Sequence, residues 1–244
     1  MRQLAERADA PLDSLSSDAS VSSAAADGST AIHALSFEIS LPTRTAKRVL
    51  DIALSVPLAV LTLPVLGALA LAVRLTSPGA AFFRQARIGR NGEPFAMWKI
   101  RSMHLDAERR LHTDAGLRDL HHEQGFKLPP DMDPRVTSLG RWLRRSSLDE
   151  LPQLWHVVSG KMSLVGPRPV VSAEVRPLYG EKAGYYLALR PGLTGLWQVK
   201  GRSEVTHQDR CALDVEYATS VSLRRDLSIL VRTVPAVARA HGAH

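Results

Sequence analysis

IALSVPLAVLTLPVLGALALAV, residues Ile52–Val73, is a run of 22 residues without a single charge. It is long enough to cross a bilayer as one helix. Its flanks argue for a different path. Arg44, Lys47 and Arg48 precede it, and Arg74, Arg84, Arg87 and Arg90 follow it. Positive residues favour the cytoplasmic side, so a simple span would carry one of two basic clusters across the membrane. Pro64 lies near the middle, with Pro57 before it. A proline removes a backbone donor and crowds the preceding turn, which kinks a helix. The economical reading is a re-entrant helix-hairpin that enters, bends near Pro64 and returns to the same side. A plain transmembrane helix remains the alternative on these residues.

Outward from this run the chain falls into three parts: 1–40, 41–80 and 81–244. Residues 1–40 are rich in Ser, Ala and Asp and poor in large apolar groups, so an acidic, disordered tail is expected there. No apolar run follows the first arginine, and no signal peptide is expected. Residues 1–43 hold two arginines against six acidic residues, a net of −4. The remainder therefore carries +11 of the overall +7. Such a body points to an anionic partner: nucleic acid, an acidic membrane surface or a phosphorylated substrate. A nucleic-acid-binding protein is disfavoured, because aromatic residues make up only 5% of the chain and stacking platforms need more. The lone Cys211 excludes an internal disulfide and reads as a packed thiol.

Residues 81–103 read as short strands around a turn at Asn91-Gly92. Residues 104–130 are polar and read as a solvated helical excursion rather than a metal site, since only the weak pairs His104/His112 and His121/His122 approach ligand spacing. Helical patterns follow over 135–160, then Pro-rich loops at 166–169 and 190–195, then helix from about 208 to 240. The expected fold is mixed α/β and predominantly α. It joins the membrane hairpin to a small cytoplasmic domain with one β-hairpin and surface amphipathic helices.

The chemistry concentrates around Asp149-Glu150. Leu148, Leu151, Leu154, Trp155 and Val158 share one face of a helix, with Asp149, Glu150 and Gln153 turned away from it. Ser147 and Glu150 have capping-box spacing. A structural role for the two carboxylates in a first helical turn is therefore available. The surroundings favour a site. Arg141, Arg144 and Arg145 lie upstream. Downstream, Pro167 and Pro169 bracket Arg168 and hold its guanidinium, whose planar fork suits phosphate oxygens. Arg190-Pro191-Gly192-Leu193-Thr194-Gly195 sets another arginine on a rigid turn, with glycines that let backbone amides approach a ligand. Gly201-Arg202-Ser203 adds a third basic turn. Several such loops beside an acidic pair and a membrane segment suggest a diphosphate substrate handled at a lipid surface.

The strings KRVLDIAL, FFRQARIGRNGEPFAMWKIRSM, SSLDELPQLWHVVSGKMSLVGPRPV and RPGLTGLWQVKGRS resemble the bacterial sugar transferases. These are monotopic polyprenyl-phosphate phosphoglycosyl transferases that begin exopolysaccharide and glycan assembly. The resemblance runs from about Lys47 to about Val234. It implies that Asp149 is the nucleophile and Glu150 its partner. Asp149 would attack a UDP-sugar, expel UMP, and pass the sugar phosphate to undecaprenyl phosphate. It implies Mg²⁺ held at Asp149. It assigns Arg144, Arg168, Arg190, Arg202, Lys99 and Arg101 to substrate, with Pro167 and Pro169 holding Arg168. Asp149 is expected to be ionised at neutral pH, with an ordinary carboxylate pKa of about 3.9. The implied location is the cytoplasmic face of the bacterial inner membrane, among inner-leaflet phospholipids and with no nucleic acid. The sequence leaves the oligomeric state open. Gly195–Val199 resembles members that transfer glucose or galactose phosphate, with an N-acetylated or otherwise modified sugar as the alternative. Members often carry Ser directly before the bend proline; here Leu63 stands there and Thr62 one further back, which predicts weaker hydroxyl support for the bend.

Overall fold

The computed structural model describes residues 39–123, 128–129, 131–201 and 207–239, with the side chains of 121–123, 207–208 and 237–239 excepted. The expected disordered tail lies outside the described residues. Helices α1 (Leu41–Leu61) and α2 (Leu63–Thr76) carry the uncharged run. No single described helix is long and apolar enough to cross a membrane. The α1–α2 pair together has the length and composition, but is bent by 52°. The break falls at Thr62. Pro64 occupies the first turn of α2, where a missing backbone N–H costs little, and Pro57 stays inside α1. The expectation of weak hydroxyl support is corrected. Thr62 Oγ1 donates to the carbonyls of Leu58 at 2.9 Å and Ala59 at 3.0 Å. A hydroxyl two residues before the proline still reaches the turn behind it.

Each helix of the pair buries one narrow face. In α1 that face is Asp51, Ser55 and Ala59; in α2 it is Leu66, Leu69 and Val73. The α2 face packs with Ala81, Ile100 and Leu143. The remaining surface is apolar and exposed, including Ile52, Leu54, Val56, Leu58, Val60, Leu63, Val65 and Leu71. A contiguous apolar surface of this kind marks an interaction site.

Both ends of the pair are tied to the same body. Lys47 Nζ donates to Val165 O (2.7 Å), Tyr217 Oη (2.9 Å) and Asp226 Oδ2 (2.7 Å). Arg48 donates to the carbonyls of Val157 (2.6 Å) and Val158 (2.8 Å). Asp51 Oδ1 accepts from Ser163 Oγ and the Leu164 N–H. Beyond α2, Arg101 donates to the carbonyls of Ser77 and Pro78. Lys47 and Arg48, read as charges flanking the apolar run, are thus also bound to acceptors inside the protein.

The hairpin forms as expected. β1 (Phe82–Ile88) pairs antiparallel with β2 (Pro94–Ile100), from Phe82↔Ile100 to Ile88↔Pro94. Asn91 (φ 60°, ψ 18°) and Gly92 (φ 80°) both adopt positive φ at the tip, the requirement of a type I′ turn. α3 (Ala107–Thr113) and α4 (Ala115–Glu123) form the excursion, and α5 (Ser138–Ser146) leads to the acidic pair. A short 3₁₀ segment, Leu148–Gln153, then precedes α6 (Leu154–Val158).

A second sheet was not legible in the loops. β3 (Ser163–Val165) runs parallel to β4 (Gly192–Thr194), with Ser163↔Gly192 and Val165↔Thr194 in register. The glycines of the two loops serve this contact. A Cβ on Gly192 would strike the Gly166 backbone, and one on Gly166 would strike the Arg190 carbonyl. Close approach of two chain segments thus requires both glycines, and Gly192 also lines the pocket beside the acidic pair. α7 (Ser172–Tyr179) and α8 (Ala183–Leu187) separate the strands; α9 (Leu196–Lys200), α10 (His207–Thr219) and α11 (Leu223–Arg239) complete the chain. The largest core cluster joins Ala59 of α1 to Phe95, Met97, Leu154, Val157, Leu164, Tyr217 and Ile229.

Asp226 is 1% exposed and is the carboxylate partner of Lys47. Asp226→Ala leaves a buried ammonium without its counter-charge, so unfolding in detergent should cost about 3–5 kcal/mol less than in wild type. A denaturant titration that finds less than about 1 kcal/mol refutes the anchoring role.

Candidate active site

Ser147 ends α5 in the left-handed region (φ 58°, ψ 17°), and its side chain makes no capping bond. The capping box expected between Ser147 and Glu150 is therefore absent. The segment beyond winds with the tighter 3₁₀ period, and Pro152 within it offers no backbone donor. This corrects the face assigned from α-helical spacing. Asp149 and Gln153 turn inward, at 7% and 3% exposure, while Trp155 is 43% exposed.

The inward turn brings the acidic pair against β2. Lys99 Nζ donates to Glu150 Oε1 at 2.9 Å. His156 Nε2 accepts the Trp98 N–H at 3.0 Å and fastens α6 to the same strand. Burial, reinforced by Lys161, pushes the His156 pKa down, which keeps the ring neutral and able to accept. Arg144 closes the other side, with Nε donating to Ser102 Oγ at 2.9 Å. Burial pushes its guanidinium pKa down, while Asp149 and Asp133 pull it back up.

Asp149 does not keep an ordinary carboxylate pKa. Burial raises it, Lys99 opposes the rise, Glu150 adds to it and Arg144 opposes it again; the result is about 6. The expectation of a carboxylate titrating near 4 fails because the 3₁₀ turn removes this side chain from water. The group is still predominantly ionised at neutral pH.

Beside the pair lies a pocket open to solvent, whose polar lining is Arg87, Lys99, Glu150, Gln153, Arg168 and Gln198. Arg168 lies over the Trp197 ring at 6.0 Å, and Pro169 forms part of the wall. The Pro167 carbonyl accepts the Gly192 N–H at 2.8 Å, which ties the Arg168 loop to β4. Of the residues singled out in the sequence, Asp149, Glu150, Lys99, Arg144, Arg168 and Pro169 thus gather here. Arg101 does not: its guanidinium is spent on the Ser77 and Pro78 carbonyls. Arg190 lines a separate cavity with Arg44, Lys47 and Arg90. Arg202 lies outside the described residues.

Arg87, Gln153 and Gln198 escaped the sequence reading as pocket residues. Arg87 had a usable signal. Antiparallel register puts directly opposed residues on one face, and the pairs Arg87↔Phe95, Gln85↔Met97 and Phe83↔Lys99 set Arg87 on the face that carries Lys99. Gln198 lay within the Gly195–Val199 stretch tied to sugar choice but was not singled out, and Gln153 gave no signal, because a 3₁₀ turn is too short to show a period.

Two carboxylates flanked by Lys99 and Arg144, beside arginines that line an open pocket, form a site suited to a phosphorylated substrate. The sequence profile described as bacterial sugar transferase matches residues 42–240. The chain belongs to the bacterial sugar transferase family. A UDP-galactose-lipid carrier transferase of Erwinia amylovora is 41% identical over 206 residues, covering 83% of this chain and 42% of that protein. The UDP-glucose:undecaprenyl-phosphate glucose-1-phosphate transferase of Caulobacter vibrioides is 42% identical over 206 residues, 81% of this chain and 72% of that one. The exopolysaccharide production protein ExoY of Rhizobium meliloti is 42% identical over 173 residues, 70% and 76% of the two chains. The chain thus spans about two-fifths of the Erwinia relative and nearly three-quarters of the Caulobacter one. In this sugar transferase the matched region contains the α1–α2 pair, the hairpin, the acidic pair and both Pro-rich loops.

The raised pKa of Asp149 has a consequence for stability. Its folded-state pKa of about 6 lies above the usual 3.8, so the fold favours the protonated form. Ionisation of Asp149 leaves stability intact below about pH 4 and removes it as pH rises through about 6. Asp149→Asn should therefore be more stable than wild type above pH 7, by on the order of 3 kcal/mol. The gain should vanish near pH 4. Unfolding midpoints of both proteins across this range test it, and a pH-independent difference contradicts it.

Proposed function

We propose that this sugar transferase moves a hexose 1-phosphate from a UDP-sugar to undecaprenyl phosphate through an aspartyl-phosphosugar intermediate. The observation that carries this reading is Asp149: a buried carboxylate, ionised at neutral pH, whose neighbours Lys99 and Glu150 line a pocket shared with Arg87 and Arg168. In the first step an Asp149 carboxylate oxygen forms a bond to the sugar-bearing phosphorus. The bond from that phosphorus to the bridging oxygen breaks, and its electron pair leaves with UMP. In the second step a phosphate oxygen of the polyprenyl acceptor attacks the same phosphorus. The bond to Asp149 breaks, the carboxylate is restored, and the product is a polyprenyl-diphosphate sugar. No base is needed to activate an ionised carboxylate.

The obstacle is repulsion between one anion and another. Arg87 and Arg168 are suited to the diphosphate oxygens, since a guanidinium offers paired donors in one plane. Lys99 and Arg144 hold positive charge on Asp149 and lower the cost of ionising it. Preorganised charge in a water-poor site is worth more than the same charge in solution.

Mg²⁺ would be held by the Asp149 and Glu150 carboxylates. Asp149 and Glu150 are adjacent carboxylates, and no cluster of three or more His, Cys, Asp or Glu converges among the described residues. Mg²⁺ is commonly held by one or two carboxylates together with water and substrate phosphates. When bound, the ion would supply charge neutralisation for the phosphates.

Glucose or galactose is the favoured sugar. The names of the Erwinia and Caulobacter relatives specify UDP-galactose and UDP-glucose, and Gln198 of the Gly195–Val199 stretch lines the pocket wall. The bent, outwardly apolar α1–α2 pair, tied at both ends to one body, supports re-entry into the cytoplasmic face of the inner membrane. There the lipid acceptor and the soluble donor can meet.

Purified protein with UDP-glucose or UDP-galactose, undecaprenyl phosphate and Mg²⁺ should release UMP. Asp149→Asn should release at least about 10³-fold less. The wild-type rate should fall tenfold per pH unit below about 6, as Asp149 becomes protonated. UMP release by Asp149→Asn at the wild-type rate removes the nucleophile. For topology, single cysteines placed ahead of residue 44 and beyond residue 84 should react from the same side of inverted vesicles. Labelling from opposite sides means a true span.

A further inference from the structure

A second cavity, open to solvent, lies between the start of α1, the hairpin tip and the segment before β4. It shares no lining residue with the pocket beside Asp149. Arg44 reaches it from the first turn of α1, Arg90 from the hairpin turn, and Arg190 from the end of the loop. None of these three guanidiniums makes a side-chain hydrogen bond or ion pair among the described residues. Lys47 also lines the wall, but its three donors are taken by Val165, Tyr217 and Asp226.

The charge here is poorly compensated. Arg190 is half-buried, and Arg90, Arg48 and Arg44 all act on it with like charge, against Asp51 alone in the other direction. Asp51 already accepts two hydrogen bonds from Ser163 and Leu164. Three guanidiniums gather here with no carboxylate among the described residues that line the cavity, an arrangement that favours an anion. The rest of the lining is Ile39, Ala188 and Leu189 with Ser163. Cationic groups beside an apolar wall suit an amphiphile better than a bare phosphate ion. The location agrees: Arg44 is five residues before Val49, where the exposed apolar surface of α1 starts, and Leu41 beside it is 73% exposed.

We infer that the Arg44–Arg90–Arg190 cavity binds the phosphate headgroup of an anionic phospholipid at the membrane surface. The inference rests on the reading of α1 and α2 as the membrane-entering segment. Its consequence is that α1 enters the bilayer beside a held lipid. Through Arg190, that lipid would touch the segment leading into β4, whose Gly192 and Leu193 line the pocket beside Asp149.

The full chain, purified in neutral detergent, can be offered short-chain phosphatidylglycerol, phosphatidylcholine or inorganic phosphate, with adducts counted by native mass spectrometry. Wild type should retain phosphatidylglycerol in preference to the other two. The double variant Arg44→Gln/Arg90→Gln should bind it at least about tenfold more weakly, and Arg44→Lys/Arg90→Lys should restore binding. UMP release by the glutamine variant in lipid-free detergent should equal that of wild type. Undiminished phosphatidylglycerol binding by the glutamine variant overturns the site, and so does equal retention of phosphatidylcholine. Inorganic phosphate bound as tightly as phosphatidylglycerol overturns the lipid assignment. A wild type that shows this lipid pattern but releases no UMP refutes the proposed reaction and leaves the headgroup site standing.

Discussion

A lysine ammonium buried at the foot of the first helix holds the molecule together. Lys47 gives its three donors to Val165 of β3, Tyr217 of α10 and Asp226 of α11. Each partner comes from a different part of the chain, and the bonds span 118, 170 and 179 residues. A buried charge is tolerated only when paired and fully hydrogen-bonded, so the three elements must converge wherever Lys47 sits. Val165 also leads directly into Gly166-Pro167-Arg168-Pro169. The contact that docks the apolar helix pair thus sets the origin of the loop that delivers Arg168.

At the acidic pair, burial works in the opposite sense. Lys47 is matched by the Asp226 carboxylate and a full set of acceptors. Asp149 is opposed by Lys99 and Arg144 but burdened by Glu150 and by its own desolvation, and its pKa settles at about 6. One environment fixes a position in the fold; the other leaves a carboxylate incompletely compensated, at some cost to stability. Such incomplete compensation is common where charge is used in chemistry.

The +11 of the body is divided among distinct tasks. Lys47, Arg48 and Arg101 hold the two ends of the α1–α2 pair. Arg87 and Arg168 line the pocket beside Asp149, and Arg44, Arg90 and Arg190 surround the second cavity. Arg84 stacks over Trp98 at 4.7 Å, and Arg145 pairs with Asp131 at the surface. Net charge pointed to an anionic partner, but it had no power to say which arginines would line a pocket.

The sequence by itself determined the elements whose signals are local. An uncharged run broken by Pro64 gave the bent helix pair, and Asn91-Gly92 gave the hairpin, because only a turn with two positive φ angles closes that way. Asp149-Glu150 and the proline-bracketed Arg168 stood out for the same reason: their residue types sit side by side in the chain, and the structure gathers them beside one pocket. The tertiary structure alone decided the rest. It showed that Asp149 faces inward, because a 3₁₀ turn through Pro152 breaks the α-helical period on which the sequence reading relied. It turned the Gly166 and Gly192 loops into a parallel strand contact, sent Arg190 to a second cavity, and brought Arg87 to the first. Each of these depends on two segments meeting at a distance that no local spacing encodes.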